Sequence, residues 1–224
     1  VELEGIRDLL FALFDEKDNP TRVRAWAMFA LGLLADQPYG DDCLEQCGRR
    51  ITRALWKRIE ADYGSPDLVN ALLVALGMQP PDGVPDGVRT ELRRLALKGR
   101  TFWTGTQQAH ALHAYVRLQA PDRARVIRYA LTPKRTFGKN RMPAAAANAL
   151  AETAPTLSST ERRDAALSVQ EVVPTLGDPR VAGLGVLALG ALRGADLRDG
   201  STVVLEATKV ASYLFHTARA GDRD

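Results

Sequence analysis

Three basic sets carry the side chains best suited to gripping an anion. Arg49, Arg53 and Lys57 recur every four residues with Trp56 beside them; Arg89, Arg93 and Arg100 form a second set. Arg125, Arg128 and Tyr129 begin a third, which runs on through Lys134, Arg135, Lys139 and Arg141 in a stretch, 125–142, without one Asp or Glu. Guanidinium forks bind carboxylate or phosphate bidentately, and aromatic rings stack on bases or anchor peptide side chains. At helical spacing Arg49 and Arg53 lie opposite Leu44, Ile51 and Leu55. Arg125, Arg128 and Tyr129 likewise lie opposite Val126, Ile127 and Leu131. Arg89 and Arg93 share a face about a third of a turn from the Val88, Leu92, Leu95 stripe. Net charge is only +3, but residues 1–48 sum to −6, residues 49–141 to +11 and residues 142–224 to −2. A basic middle between acidic ends points to an anionic partner.

Other chemistry is thinly represented. His110 and His113 share a helix face and could chelate a metal, but no Asp or Glu lies within a turn to complete an open site. Cys43 and Cys47 are four apart, unlike the C-x-x-C of redox or zinc sites, and adjacent turns suit a disulfide poorly. Free thiols fit a reducing compartment. Thr132, Thr136, Ser158, Ser159 and Ser201 have no evident His and acidic partners for nucleophilic work. The glycines of "GLGVLALG" sit inside a helix pattern and not after a strand, so they cradle no phosphate. Asp41 and Asp42 read as a solvated turn. The expectation is no catalytic residue, no metal and no cofactor.

The elements that must position the basic residues are helical. Alternating β-branched runs are missing, while Ile6, Leu9, Leu10, Leu13 and Phe14 follow amphipathic helix spacing. Asn19-Pro20, Ser65-Pro66 and Asp178-Pro179 each pair an N-cap residue with Pro at the first helical position, where its missing N–H costs nothing. Each pair precedes an Ala-Leu-Gly triplet, at 30–32, 75–77 and 188–190, spaced by 45 and then 113 residues. The second interval is close to three units of about 38, so two degenerate copies, "TGTQQAHALHAYVRL" and "MPAAAANALAETA", fill it. Glycine inside a helix costs about 1 kcal/mol against alanine. Its recurrence in one register predicts another helix packed closely over that point. Second helices are expected near 42–63, 86–99, 122–132, 160–173 and 200–219.

"NPTRVRAWAMFALGLLAD" and "DPRVAGLGVLALGALRG" are similar to the first-helix pattern of the HEAT family of α-solenoid repeats, including its bacterial HEAT-like kind. The resemblance covers nearly the whole chain, most clearly in the first and last units. It implies an all-α, right-handed α-solenoid of about five HEAT-like helix pairs after an N-terminal orphan helix. The chain then reads as one domain, 1–224, with repeats at 19–63, 65–99, 101–135, 137–173 and 178–219. In such arrays second helices line the concave surface, so the resemblance would place the three basic sets on one strip. The His-Glu dyads of HEAT-like metal oxygenases are missing. HEAT-like alkylpurine DNA glycosylases rely on a Trp-Trp-Asp-type segment, whereas Trp26, Trp56 and Trp103 are isolated and have no Asp close behind.

The expectation is a non-enzymatic scaffold or recognition module whose basic concave surface binds an acidic protein segment or another anionic ligand. The alternative is a nucleic-acid-binding protein using the same strip. The longest apolar stretch, "VAGLGVLALGAL", is too short and glycine-rich to span a bilayer. With no leader pattern after Val1, the reading is a cytoplasmic protein, and a piece of a longer one.

Overall fold

The computed structural model of the chain describes residues 2–34, 44–61, 65–99, 103–120, 122–132, 141–201 and 204, with the side chains of 2, 3 and 44–48 left aside. Among these residues every regular element is helical. The chain divides into two compact units, Val1–Pro121 and Asp122–Asp224.

The first unit holds α1 (Glu2–Asp15), α2 (Thr21–Leu34), α3 (Leu44–Glu60), α4 (Pro66–Gly77), α5 (Asp86–Lys98) and α6 (Gly105–Arg117). Helix α2 packs on α4 and α4 on α6, while α1, α3 and α5 pack on α2, α4 and α6 respectively. Met28, Leu31, Leu72, Leu76, Leu92 and Leu112 are sealed within this unit. Each contributes about 1.5–3 kcal/mol by leaving water. Two of the Ala-Leu-Gly glycines sit where these helices approach closest. A Cβ on Gly32 would lie 2.8 Å from Met78 Sδ and 3.1 Å from Ala75 Cα. One on Gly77 would lie 2.8 Å from Ala114 Cα. Thus the glycine of α2 meets the alanine of the α4 triplet, and the glycine of α4 meets Ala114 in the degenerate copy.

The second unit holds α7 (Arg123–Leu131), α8 (Arg141–Thr153), α9 (Ser159–Val172) and α10 (Pro179–Arg198). Here α8 packs on α10 and α9 on α10, while α7 packs on both α8 and α9. Ile127, Leu150, Val169, Leu189 and Leu192 form its interior. The third triplet glycine breaks the expected rule: nothing approaches within 4 Å of a Cβ on Gly190, which is exposed. Gly185, one and a half turns earlier, takes the close contact, against Val173 Cγ2. The helix α10 is 20 residues long and carries buried residues along its length, from Val181 to Asp196.

The helix starts also differ in detail from expectation. Asp178 caps α10 as anticipated, accepting from the Arg180 N–H at 2.9 Å. Ser65 precedes Pro66 but makes no side-chain cap. Asn19 instead donates its amide to the Leu13 carbonyl at 3.0 Å, closing the end of α1 rather than opening α2. Helices α6 and α9 start with capping boxes. The Thr104 N–H donates to Gln107 Oε1 at 2.8 Å, and the Ser158 N–H donates to Glu161 Oε2 at 2.8 Å. Gly99 ends α5 with φ of 66°, a left-handed conformation that a side chain would strain.

The second helices expected at 42–63, 86–99, 122–132 and 160–173 are α3, α5, α7 and α9. The one expected at 200–219 lies outside the described residues but for 200, 201 and 204. No helix among the described residues is long and apolar enough to cross a membrane.

Candidate functional site

Helix α3 carries the core of the candidate site, and its sequence dictates its orientation. Ile51, Leu55 and Ile59, four apart, are buried against the first unit, which turns Arg49, Arg50, Arg53 and Lys57 outward. The outward cations fall into two groups with different surroundings.

On one side, Arg50 and Arg58 face α1. Arg50 Nη1 lies 2.8 Å from Glu4 Oε1, and its Nη2 lies 3.8 Å from Asp8 Oδ1. Arg58 grips Asp15 with both arms of its fork, Nε donating to Oδ1 at 2.9 Å and Nη2 to Oδ2. Its guanidinium carbon stands 4.2 Å from the centre of the Phe11 ring. Glu4, Asp8, Phe11 and Asp15 share one face of α1, so an acidic helix face meets a basic one. A cavity of about 230 Å³ lies between them, floored by Phe11, Ile51 and Ala54. The acidic start of the chain therefore neutralises part of its basic middle, and that part of the charge asymmetry needs no external partner.

On the other side, Arg49 and Arg53 are exposed and line an open groove of about 420 Å³. The opposite wall is built by the 3₁₀ turn Pro81–Gly83 and the start of α5, with Asp82, Asp86 and Arg89. Buried Val84 and half-buried Pro85 form the floor. Arg89 is committed to the scaffold: its Nη2 donates to the Pro81 carbonyl, and its Nη1 lies 3.8 Å from Asp86 Oδ1. The groove is thus bipolar, with arginines on the α3 wall and carboxylates on the other. A continuous cationic strip was expected here; the carboxylates come from the turn and from the first residue of α5.

The remaining candidates are distributed as follows. Lys57 is exposed, and Trp56 and Arg93 are half-buried in the first unit. Arg94, one residue on, is held by Glu91 at 2.8 Å, a hydrogen bond that raises its pKa. In the second unit Arg125, Arg128 and Tyr129 stand on the exposed face of α7, opposite buried Val126 and Ile127. Arg141 is exposed at the start of α8. Arg123 does not belong with this exposed set: it is buried and donates to the Thr156 carbonyl at 2.6 Å. Arg100, Lys134, Arg135 and Lys139 lie outside the described residues, as does Cys43; the Cys47 side chain is likewise not described.

His110 and His113 are half-buried on α6. Burial, and secondarily the neighbouring His113, hold His110 below the usual histidine range. No cluster of three or more His, Cys, Asp or Glu able to hold a metal occurs among the described residues. Trp26, on an apolar helix face, is 68% exposed and meets Phe29 edge-on at 5.7 Å between ring centres.

Sequence reasoning missed one charged cluster altogether. Arg162 and Asp196 are fully buried in the second unit, with Nε 3.3 Å from Oδ1, and Arg162 Nη2 reaches Asp199 Oδ2 at 2.5 Å. Asp196 Oδ2 also accepts from the Val204 N–H at 2.6 Å. The signal was present: Arg162 stands three, four and seven residues before buried Ala165, Ala166 and Val169, squarely in the apolar stripe of α9. This cluster ties the end of α10 to α9. Compared with family models, curated proteins and solved structures, the chain finds no match.

Proposed function

We propose that the chain is a HEAT-like α-solenoid recognition module, without enzymatic chemistry, whose basic surface binds an acidic protein segment. The observation that carries this reading is the sorting of cations on α3. Arg50 and Arg58 are held by carboxylates of α1, whereas exposed Arg53 lines an open groove on the other side of the helix, with Arg49 beside it. The repeat reading is supported by the matched contacts of Gly32 with α4 and Gly77 with α6. A preorganised helix face of this kind binds without reordering its backbone, which limits the entropic cost of association. The contact of α1 with α3 is a working example, within the molecule, of an acidic segment held by arginines of this same helix.

The nucleic-acid reading would use the same cations. The test is fluorescence anisotropy with a labelled oligoglutamate peptide, alongside gel retardation of duplex and single-stranded oligonucleotides. The peptide should bind with an affinity that weakens as salt rises. Arg49→Glu with Arg53→Glu should lower that affinity tenfold or more while leaving the circular dichroism unchanged. Peptide binding indifferent to the double variant would end the proposal. Oligonucleotide retardation with a log–log salt slope of several units would replace it with the nucleic-acid reading.

A further inference from the structure

From the cavity between α1 and α3 we infer a second binding site, distinct from the open groove, that takes a small neutral aromatic molecule carrying a hydrogen-bond donor. Its place in the fold lets a ligand enter without opening a core. Helix α1 packs on α2, while α3 packs on α4 and on the turn Pro81–Gly83. Long side chains join α1 to α3 across the gap, Arg50 reaching Glu4 and Asp8, and Arg58 reaching Asp15. The space they bridge is about 230 Å³. An apolar cavity of about 150 Å³ holds benzene, so this one has room for two fused rings.

The charges around the cavity select against ions of either sign. Three guanidiniums and two carboxylates line it. Arg50 is held by Glu4 and Arg58 by Asp15, and buried Arg7 is engaged within the protein. An anionic ligand would have to displace Glu4 or Asp15 from its arginine, and would then lie beside Glu4 and Asp8. A cationic one would lie against the three arginines. A neutral molecule leaves every pair intact. What the cavity leaves uncovered is apolar, because Phe11, Ile51 and Ala54 form its floor, and Phe11 and Ala54 are only half-buried. Covering them takes apolar surface out of water. An aromatic ring suits this floor, since paired rings gain more than their buried area alone provides. Asp8 supplies the polar handle. Its Oδ1 stands 3.8 Å from Arg50 Nη2, beyond hydrogen-bond length, and an ionised carboxylate accepts several hydrogen bonds. A ring N–H directed at the rim donates to it.

Indole, indole-3-acetate and tryptamine share one ring system and differ in charge, so they are the probes, titrated into the full chain by saturation-transfer NMR. Indole should bind, and each charged analogue should bind about fivefold more weakly, the loss expected from disturbing one exposed ion pair. Ala54→Leu, which fills the floor, should abolish indole binding at unchanged circular dichroism, and Asp8→Ala should weaken it. Hydrogen exchange reads the site without a variant: indole should slow exchange in α1 and α3 and leave α5 and α6 unaffected. Equal affinity for the three probes would overturn the neutral class. Indole binding that survives Ala54→Leu, or that Trp26→Ser removes instead, would put the ring on the exposed surface and overturn the site. No indole binding up to its solubility limit would overturn both.

Discussion

Replacing Gly77 and Gly190 separately by alanine sets one triplet against another. The substitutions are chemically identical, and both sites end an Ala-Leu-Gly on a first helix. At Gly77 the new Cβ would lie 2.8 Å from Ala114 Cα and 3.2 Å from its Cβ. The obstructing atom belongs to backbone, so no rotamer change relieves it and α4 must move off α6. Overpacking of this kind costs about 1–3 kcal/mol. The helix-propensity gain from Gly to Ala is about 1 kcal/mol in a helix interior, and less at Gly77, the last residue of α4. The net is a loss of about 1–2 kcal/mol. At Gly190 no atom lies within 4 Å and the position is inside α10, so the gain of about 1 kcal/mol stands alone. Urea unfolding followed by circular dichroism, with hydrogen exchange in α4, α6 and α10 assigning each transition to its unit, measures the difference. G77A should lower the midpoint and G190A should raise it, at unchanged slope. A G77A protein as stable as the parent would refute the close approach of α4 and α6.

The remaining predictions concern buried charge and pH. Asp196→Ala removes the fully buried carboxylate beside the Arg162 guanidinium, leaving it Asp199 alone, and should cost about 3–5 kcal/mol, whereas Asp199→Ala, at the exposed end of the cluster, should cost about 1 kcal/mol or less. Equal losses in urea melts would contradict the assigned roles. His110 is held below the usual histidine range by burial and by His113, so the unfolded chain binds more protons than the folded one as pH falls. The stabilisation is complete above the unfolded value of about 6.5 and is lost as pH drops towards the lowered folded value. Thermal melts across that window should show the loss, and His110→Gln should flatten it; an unaltered profile would assign it elsewhere.

Local rules served well where an element is defined by its own residues. Ile51, Leu55 and Val126, Ile127 fixed which faces of α3 and α7 are buried, and the arginines opposite them are exposed as the spacing requires. The glycine register held at Gly32 and Gly77 because each marks a real crossing. It failed at Gly190, where the close contact falls instead on Gly185, against Val173 of the 3₁₀ turn Val173–Thr175. What sequence could not convey was pairing between elements. Arg50 and Arg58 look identical to Arg49 and Arg53 in a periodicity count. What periodicity does not show is that Glu4, Asp8 and Asp15, more than 40 residues away, fold against Arg50 and Arg58. Arg123 and Arg162 read as surface residues by type, and only their carbonyl and carboxylate partners explain their burial. Asp82 belongs to a turn, where helical periodicity assigns no face.

The division of α3 into a neutralised flank and an open one gives the helix a lateral polarity. At physiological salt, fields persist over about 8 Å, roughly the width of one helix. Within that range an acidic segment would meet attraction from the α3 wall of the groove and near-cancellation on the α1 side. It therefore experiences a torque as well as a pull, and is rotated towards the groove before the first contact forms. Acidic residues placed on α1 thus act at a distance from it, by deciding the direction from which α3 is approached.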